Sequence, residues 1–527
     1  MKKIGIALLM IPMILTGCGQ AKQPIKDLHS GSNRPSSSEK GGADWPMFGD
    51  NAWQDRLSPI ALINAQTVMR LHKAFSVTLP SNGGNESFPL EQSGVLYVTT
   101  GHGNVFALNA ATGKMLWSYL NARTLPYWMP AINRGVALGK NHVYVLTPDD
   151  LLVSINKRTG TLNYAVTVAD STKGIFESMA PLWANGEVVV GSSGGDEGIR
   201  GFVSAYQAAT GKRLWQFYTV PARGQAWMAA TGSHGGGAVW TTPSYDPASN
   251  SIFVGTGNPS PDYFGKTRLG SNPYTDSVLR MNLARGTLLW ARQEVPHDLW
   301  DYDVASPPIL FYRSGQLTVG EAGKDGYWYE WNVQTGQMVI HPVAFVHEHH
   351  TPPTSTGTKE WPGPNGGANY GPSAYNPETG DAYVAGINGP EILYAGPATH
   401  QGFGLDLGTG QAPAPAGDWT GTITAIQVKS GQIAWQIPTP TPPIGGVTVN
   451  AGGLVWFGLQ DGTLNAVSAS TGKWIWRVKT GAPIGSAPIL YKWRGHDYVA
   501  VMTGGAGSLA GLFPYYGPSR LVVYRLS

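Results

Sequence analysis

The sequence predicts an all-β fold, a β-propeller of eight blades, with seven as the alternative count. Composition is the first reason: 70 glycines, 39 prolines and 19 tryptophans stand in 527 residues, of which only 13% are charged. That describes many turns and large planar side chains, with little of the Glu, Lys and Ala load of helical proteins. The second reason is alternation. Runs such as "GVLYVTT" (94–100) and "DAYVAGI" (381–387) read as strands with one buried face. The third is a motif that recurs seven times at the spacing of a propeller blade.

The chain opens on an address that does not belong to the fold. "MKK" is a short basic region, and "IGIALLMIPMIL" is an apolar stretch too short to span a bilayer comfortably. "LTGC", Leu15 to Cys18, resembles the lipobox of bacterial lipoproteins. That resemblance implies removal of residues 1–17 and a diacylglycerol on the Cys18 sulfur; the alternative is a plain secretory signal with an incidental cysteine. Residues 18–43 are polar and rich in Ser, Gly and Pro, a flexible tether holding the domain 44–527 off a membrane surface. The expected location is extracytoplasmic, lipid-anchored to a bacterial membrane at the periplasm or cell surface. Cys18 is the only cysteine, which excludes structural disulfides and a C-x-x-C-H haem site. A net charge of +3 without a long basic run argues against nucleic acid as a partner.

The repeats follow. "ALNAATGKMLW" ends at Trp117, "AYQAATGKRLW" at Trp215, "RMNLARGTLLW" at Trp290, "AIQVKSGQIAW" at Trp435 and "AVSASTGKWIW" at Trp476. Two worn copies end at Tyr164 and Ile340. The turn glycines, Gly113 to Gly472, are mostly 41 to 51 residues apart, with two enlarged intervals of 75 and 95. The Thr-Gly step allows a tight turn, and the tryptophan four residues later is placed to lie flat against the next blade. The strands "DYVAVMT" and "RLVVYRL", with the N-terminal "DWPMFGD" region, are expected to complete an eighth blade from both chain ends, which removes the sheet edges.

"EVPHDLWDYDVASPPIL" (294–310) crowds Asp298, Asp301 and Asp303 around Trp300. These carboxylates repel one another unless a cation sits among them or one takes up a proton. The tryptophan-docking repeat resembles that of the quinoprotein dehydrogenases, eight-bladed propellers carrying pyrroloquinoline quinone (PQQ) on the central axis. The resemblance covers about residues 44–527. "ESFPL" (86–90), "NRGVAL" (133–138), "GSSGGDEGIRGFVSAY" (191–206), "HGGGAVWTTPSYDP" (234–247), "VGTGNPSPDY" (254–263), "PHDLWDYD" (296–303) and "GKDGYWY" (323–329) arrive in the family's order.

What the resemblance implies is specific. Trp240 is the floor under the cofactor, and Glu86, Arg134, Ser193 and Lys324 bind it. Asp196, Asn258 and Asp303 hold a metal, calcium with a lanthanide as the alternative, and PQQ completes its shell of six to eight oxygens. Asp301 is the general base that accepts the substrate hydroxyl proton; His297 and Asp298 brace its loop. The substrate is an alcohol or aldose, and electrons leave to a separate acceptor, a cytochrome c or a quinone. The rival reading is a non-catalytic propeller lipoprotein, an envelope-assembly scaffold or binding protein, since such propellers share the repeat. A cofactor-free hydrolase lacks an identifiable nucleophile–base pair.

The sequence also departs from the family. Many relatives carry glutamate at the position of Asp196, so the reach here is shorter by about 1.5 Å. Glu197 stands beside it, but strand alternation would turn it to the other face. The adjacent-cysteine disulfide of several relatives is absent from "YWMPAINRG". "HEHH" (347–350) misses the H-E-x-x-H zinc pattern and sits in a Pro/Thr/Gly-rich loop. The segments 341–370 and 389–418 are left as long loops that set substrate preference.

Overall fold

The computed structural model describes residues 43–81, 85–125, 129–221, 235–397, 406–504 and 517–527. Cys18, the segment 1–17 and all of the tether but Ala43 lie outside them. Eight sheets share a four-stranded antiparallel core, built on residues 90–119 (sheet 1), 136–167 (sheet 2), 182–218 (sheet 3), 244–293 (sheet 4), 309–344 (sheet 5), 374–439 (sheet 6), 447–479 (sheet 7) and 489–526 (sheet 8). Among the described residues the helices are single 3-10 turns of three residues, and none could cross a membrane.

Burial follows from stacking each sheet between two others. Second strands are apolar on both faces: Val188, Val189 and Val190 are consecutive and all fully buried. Outermost strands alternate instead, as over residues 163–167, where every second side chain meets solvent.

The tryptophans join the sheets in a ring. A Cβ at Gly160 would sit 2.8 Å from the Trp117 indole, and its φ of +74° suits glycine. The same indole donates its N–H to Lys157 O at 3.0 Å. Trp215 donates likewise to Leu283 O, Trp290 to Val333 O and Trp435 to Ala469 O, each three residues before the next turn glycine. In the worn copies the Tyr164 hydroxyl donates to Ala208 O, while Ile340 contacts the Gly431 turn through carbon alone. A bulge beside each tryptophan, as between Ala205↔Trp215 and Tyr206↔Arg213, twists the outer strand toward its neighbour.

Closure differs from expectation in one part. His496–Thr503 and Arg520–Leu526 do lie in sheet 8, but its outermost strand is Leu71–Thr78, paired with Arg520–Leu526. "DWPMFGD" is not a strand; Trp45 makes one isolated bridge to Glu91. The segment is too rich in Gly, Pro and Asp to extend a ladder, whereas "LHKAFSVT" alternates. Phe75 and Val77 of that strand cover Gly113, the first repeat turn. One apolar cluster runs through the seam, from Val523 and Met502 to Leu96 and on to Val143 and Val153.

Candidate active site

A cavity of about 340 Å³ is lined by Arg134, Ser193, Asp196, Trp240, Asn258, Asp301, Asp303 and Lys324, together with Ile132, Phe176, Asn365 and Gln411. That volume suits a small organic ligand. The residues converge because of the meander. Arg134, Trp240 and Asp301 stand just before the innermost strands of sheets 2, 4 and 5. Asp196, Asn258 and Lys324 stand just after the second strands of sheets 3, 4 and 5. In an up-and-down sheet both kinds of loop emerge at the same end, so residues far apart in sequence meet. Of the residues expected to act as base or to hold cofactor or metal, Glu86 alone does not line the cavity; it is fully buried and pairs with Arg134 at 2.7 Å.

Arg134 is held on several sides. It donates to Ser178 Oγ (2.7 Å) and Trp240 O (3.2 Å), and Ser178 bonds Ser193 at 2.8 Å. Its guanidinium lies 4.7 Å from the ring centroids of both Trp240 and Tyr370. Arg134 Nε and Asn258 Nδ2 are buried and have no hydrogen-bond partner among the described residues. Pro130 and Ile132 supply an apolar wall to the cavity.

Lys324 reaches Asp301 Oδ1 at 3.0 Å and Asp303 Oδ2 at 2.6 Å, so it tethers the expected base. Burial works to lower its ammonium, but Asp301, Asp303 and Asp196 hold it above its ordinary value. Asp303 Oδ1 accepts the Asn258 backbone N–H at 2.6 Å, so both Asp303 oxygens have partners. Burial raises the Asp301 carboxyl well above the carboxylate range; Lys324 opposes the shift and Asp196 and Asp303 reinforce it. Asp301 also has φ = +64°, a rare conformation for a non-glycine residue. Burial, then Asp303, pushes Asp196 up to about 6 against Lys324.

The braces are where expected. Asp298 accepts the Trp300 and Tyr302 N–H groups, both at 2.9 Å, and His297 bonds Gly270 O at 2.8 Å. Glu197 corrects the sequence reading: Asp196 and Glu197 lie in a turn, where strand alternation does not apply, and both line the cavity.

Sequence reasoning missed three features. Asp262, in "VGTGNPSPDY", joins Asp196 and Asp301 in a set of carboxylates whose oxygens lie within 4.8 Å of one another. Its signal was a carboxylate four residues after Asn258 in the same loop. The segment 389–418 is not all loop: Glu391–Ala395 pairs with both Thr358–Glu360 and Thr409–Pro413 in an extra three-stranded sheet. That sheet brings Gln411 to the cavity. The segment 346–362 supports the Asp301 segment, since Trp300 Nε1 donates to Thr351 O and the Tyr302 hydroxyl donates to Pro362 O. The "HEHH" histidines join no metal-binding cluster among the described residues.

Comparison with known proteins places this geometry. The PQQ family model "Glucose/ethanol/alcohol dehydrogenase, beta-propeller domain" matches residues 45–348 and 342–499. The chain is 31% identical to the quinoprotein alcohol dehydrogenase PedH of Pseudomonas putida, over 96% of this chain and 92% of that protein. Among solved structures, quinohemoprotein alcohol dehydrogenase ADHIIG of Pseudomonas putida superposes with a TM-score of 0.84 at 29% identity, covering 92% of this chain and 80% of that one. A europium-containing methanol dehydrogenase does so with 0.83 at 26%, covering 92% and 99%. The chain belongs to the PQQ-dependent dehydrogenase family, the propeller oxidoreductases that act on CH–OH groups.

Proposed function

We propose that this protein oxidises an alcohol, with an aldose as the alternative substrate, using PQQ held against Trp240 and a hard cation held by Asp196, Asn258 and Asp303. The observation that carries the reading is the meeting of Asp301, Lys324, Arg134, Asn258 and Trp240 in one cavity. The residues fit the cofactor: Trp240 gives a planar apolar face, and the unpartnered Arg134 Nε and Asn258 Nδ2 give buried donors for a polyanion. When bound, PQQ supplies an ortho-quinone that accepts hydride from the carbinol carbon while the cation polarises its carbonyl.

The side chains do the rest. Asp301 accepts the hydroxyl proton at a carboxylate oxygen; Lys324 holds that oxygen in place and favours its charged form. Ile132 and Phe176 limit water on the apolar side. Calcium and a lanthanide are both consistent with an all-oxygen donor set. Electrons leave to a separate acceptor, a cytochrome c or a quinone, because the chain has no C-x-x-C-H haem motif. The "LTGC" segment supports a lipid anchor through Cys18 outside the cytoplasm.

The test is a titration of metal-stripped protein with PQQ plus calcium, and again plus lanthanum, read by tryptophan quenching. Quenching should need metal and should be lost in Trp240→Ala. Dye reduction by an alcohol should fall about 10²- to 10⁴-fold in Asp301→Ala, the range for loss of a general base. Absence of PQQ binding with either metal at micromolar concentrations would sink the reading.

A further inference from the structure

Asp262 stands out among the buried carboxylates. It is completely buried, and neither side-chain oxygen has a hydrogen-bond partner among the described residues. A neighbouring cation is present but used otherwise. Arg268, also buried, donates to Pro261 O and Asp262 O, each at 2.8 Å, to Asn272 Oδ1 at 2.8 Å, and to Asp298 O. Arg268 thus anchors the backbone of the loop and leaves the Asp262 carboxylate unpaired. That carboxylate belongs to the set with Asp196 and Asp301 whose oxygens lie within 4.8 Å of one another. Two oxygens bound to one hard cation at about 2.4 Å each are separated by at most about 4.8 Å, so the spacing is that of a shared ion.

We propose that Asp262 is a direct ligand of the metal in this cavity, supplying oxygen that the short Asp196 side chain does not; the inference rests on the cation-plus-PQQ reading above. In the metal-free protein Asp196, Asp301 and Asp303 share the ammonium of Lys324, Asp262 adds a fourth carboxylate opposed by the backbone-bound Arg268, and a bound cation relieves the excess negative charge. Asn258 completes the donor set through its side-chain oxygen.

The test uses terbium alone, without PQQ, on metal-stripped protein, with luminescence sensitised by nearby tryptophan. Wild type should bind one terbium, displaceable by calcium, and Asp262→Asn should bind at least about tenfold more weakly. Emission lifetimes in H2O and D2O count water on the ion; the variant should carry at least one more water than wild type. A purely structural role would not change that count in the protein that still binds. Thermal midpoints without metal guard against misfolding: Asp262→Asn should be no less stable than wild type, since it removes an unpaired buried carboxyl. Equal affinity, or weaker binding with an unchanged water count, overturns the assignment of Asp262 as a ligand. Failure of the wild type to take up either ion overturns the cation reading itself, and this assignment with it.

Discussion

Two sets of tryptophans show how one fold serves two ends. At the outer turns, Trp117, Trp215, Trp290 and Trp435 each have their indole N–H bonded to a carbonyl of the next sheet, and Trp117, Trp215 and Trp435 cover its turn glycine. On the axis, Trp240 is half-buried beside Arg134, and the groups around it are left short of partners: Arg134 Nε, Asn258 Nδ2 and both Asp262 oxygens. These rim tryptophans satisfy their N–H groups locally and repeat, whereas the axis leaves several of its donors and acceptors without a partner among the described residues. A buried polar group without a partner costs free energy, so the axis stores a deficit that a ligand can relieve. The rim supplies the stability that tolerates it.

Three measurements would break or sharpen that contrast. The largest effect is expected at Lys324. Lys324→Met removes the ammonium that contacts Asp301 and Asp303, and breaking a buried ion pair on one side typically costs about 3–5 kcal/mol. The urea midpoint of the metal-free variant should drop accordingly, and calcium or lanthanum should restore part of the loss. A metal-independent loss would mean that Lys324 is an ordinary structural cation.

Next comes the rim. Trp290→Ala removes a largely buried indole and its bond to Val333 O, for an expected loss of about 3 kcal/mol. PQQ and terbium affinities of the variant, measured below its unfolding transition, should match wild type. If they fall with stability, rim and axis are not separable.

The smallest effect concerns a buried carboxyl away from the cavity. Glu91 bonds the Gly94 N–H at 2.6 Å; burial, then Asp44, pushes its carboxyl up to about 8 against that bond. The folded protein keeps a proton that the unfolded chain releases above about pH 4.3. Its stabilising contribution is therefore complete below that pH and is lost as pH rises toward and through about 8. Glu91→Gln should gain stability relative to wild type as pH goes from 5 to 8, with no dependence on metal. A metal-dependent shift there would blur the line between the two regions.

Much of the site was legible because its residues sit in short motifs at loop positions. "NRG", "GKDG" and "PHDLWDYD" each carry a side chain that the fold brings to the cavity, and Asp298 bonds within its own loop. Asp262 was not legible. A carboxylate after "NPSP" reads as a solvated turn residue, and only the folded loop, pinned by Arg268, removes it from water. Glu197 was misjudged because alternation was applied to a turn. The N-terminal closing strand was misplaced because two segments competed for it and both precede the first repeat.

By itself the sequence determined the repeating unit, its turn glycines, its tryptophans and the chemical types of the site residues. These follow from periodicity and composition within about fifty residues, where local sterics and burial decide. The tertiary structure alone decided which carboxylates meet, which cation pairs with the base, and that 391–395 and 409–413 form a sheet beside the cavity. Those outcomes depend on contacts between residues as far apart in sequence as Asp196 and Asp301, brought together by closure of the ring, and electrostatic coupling acts through distance in space and not along the chain.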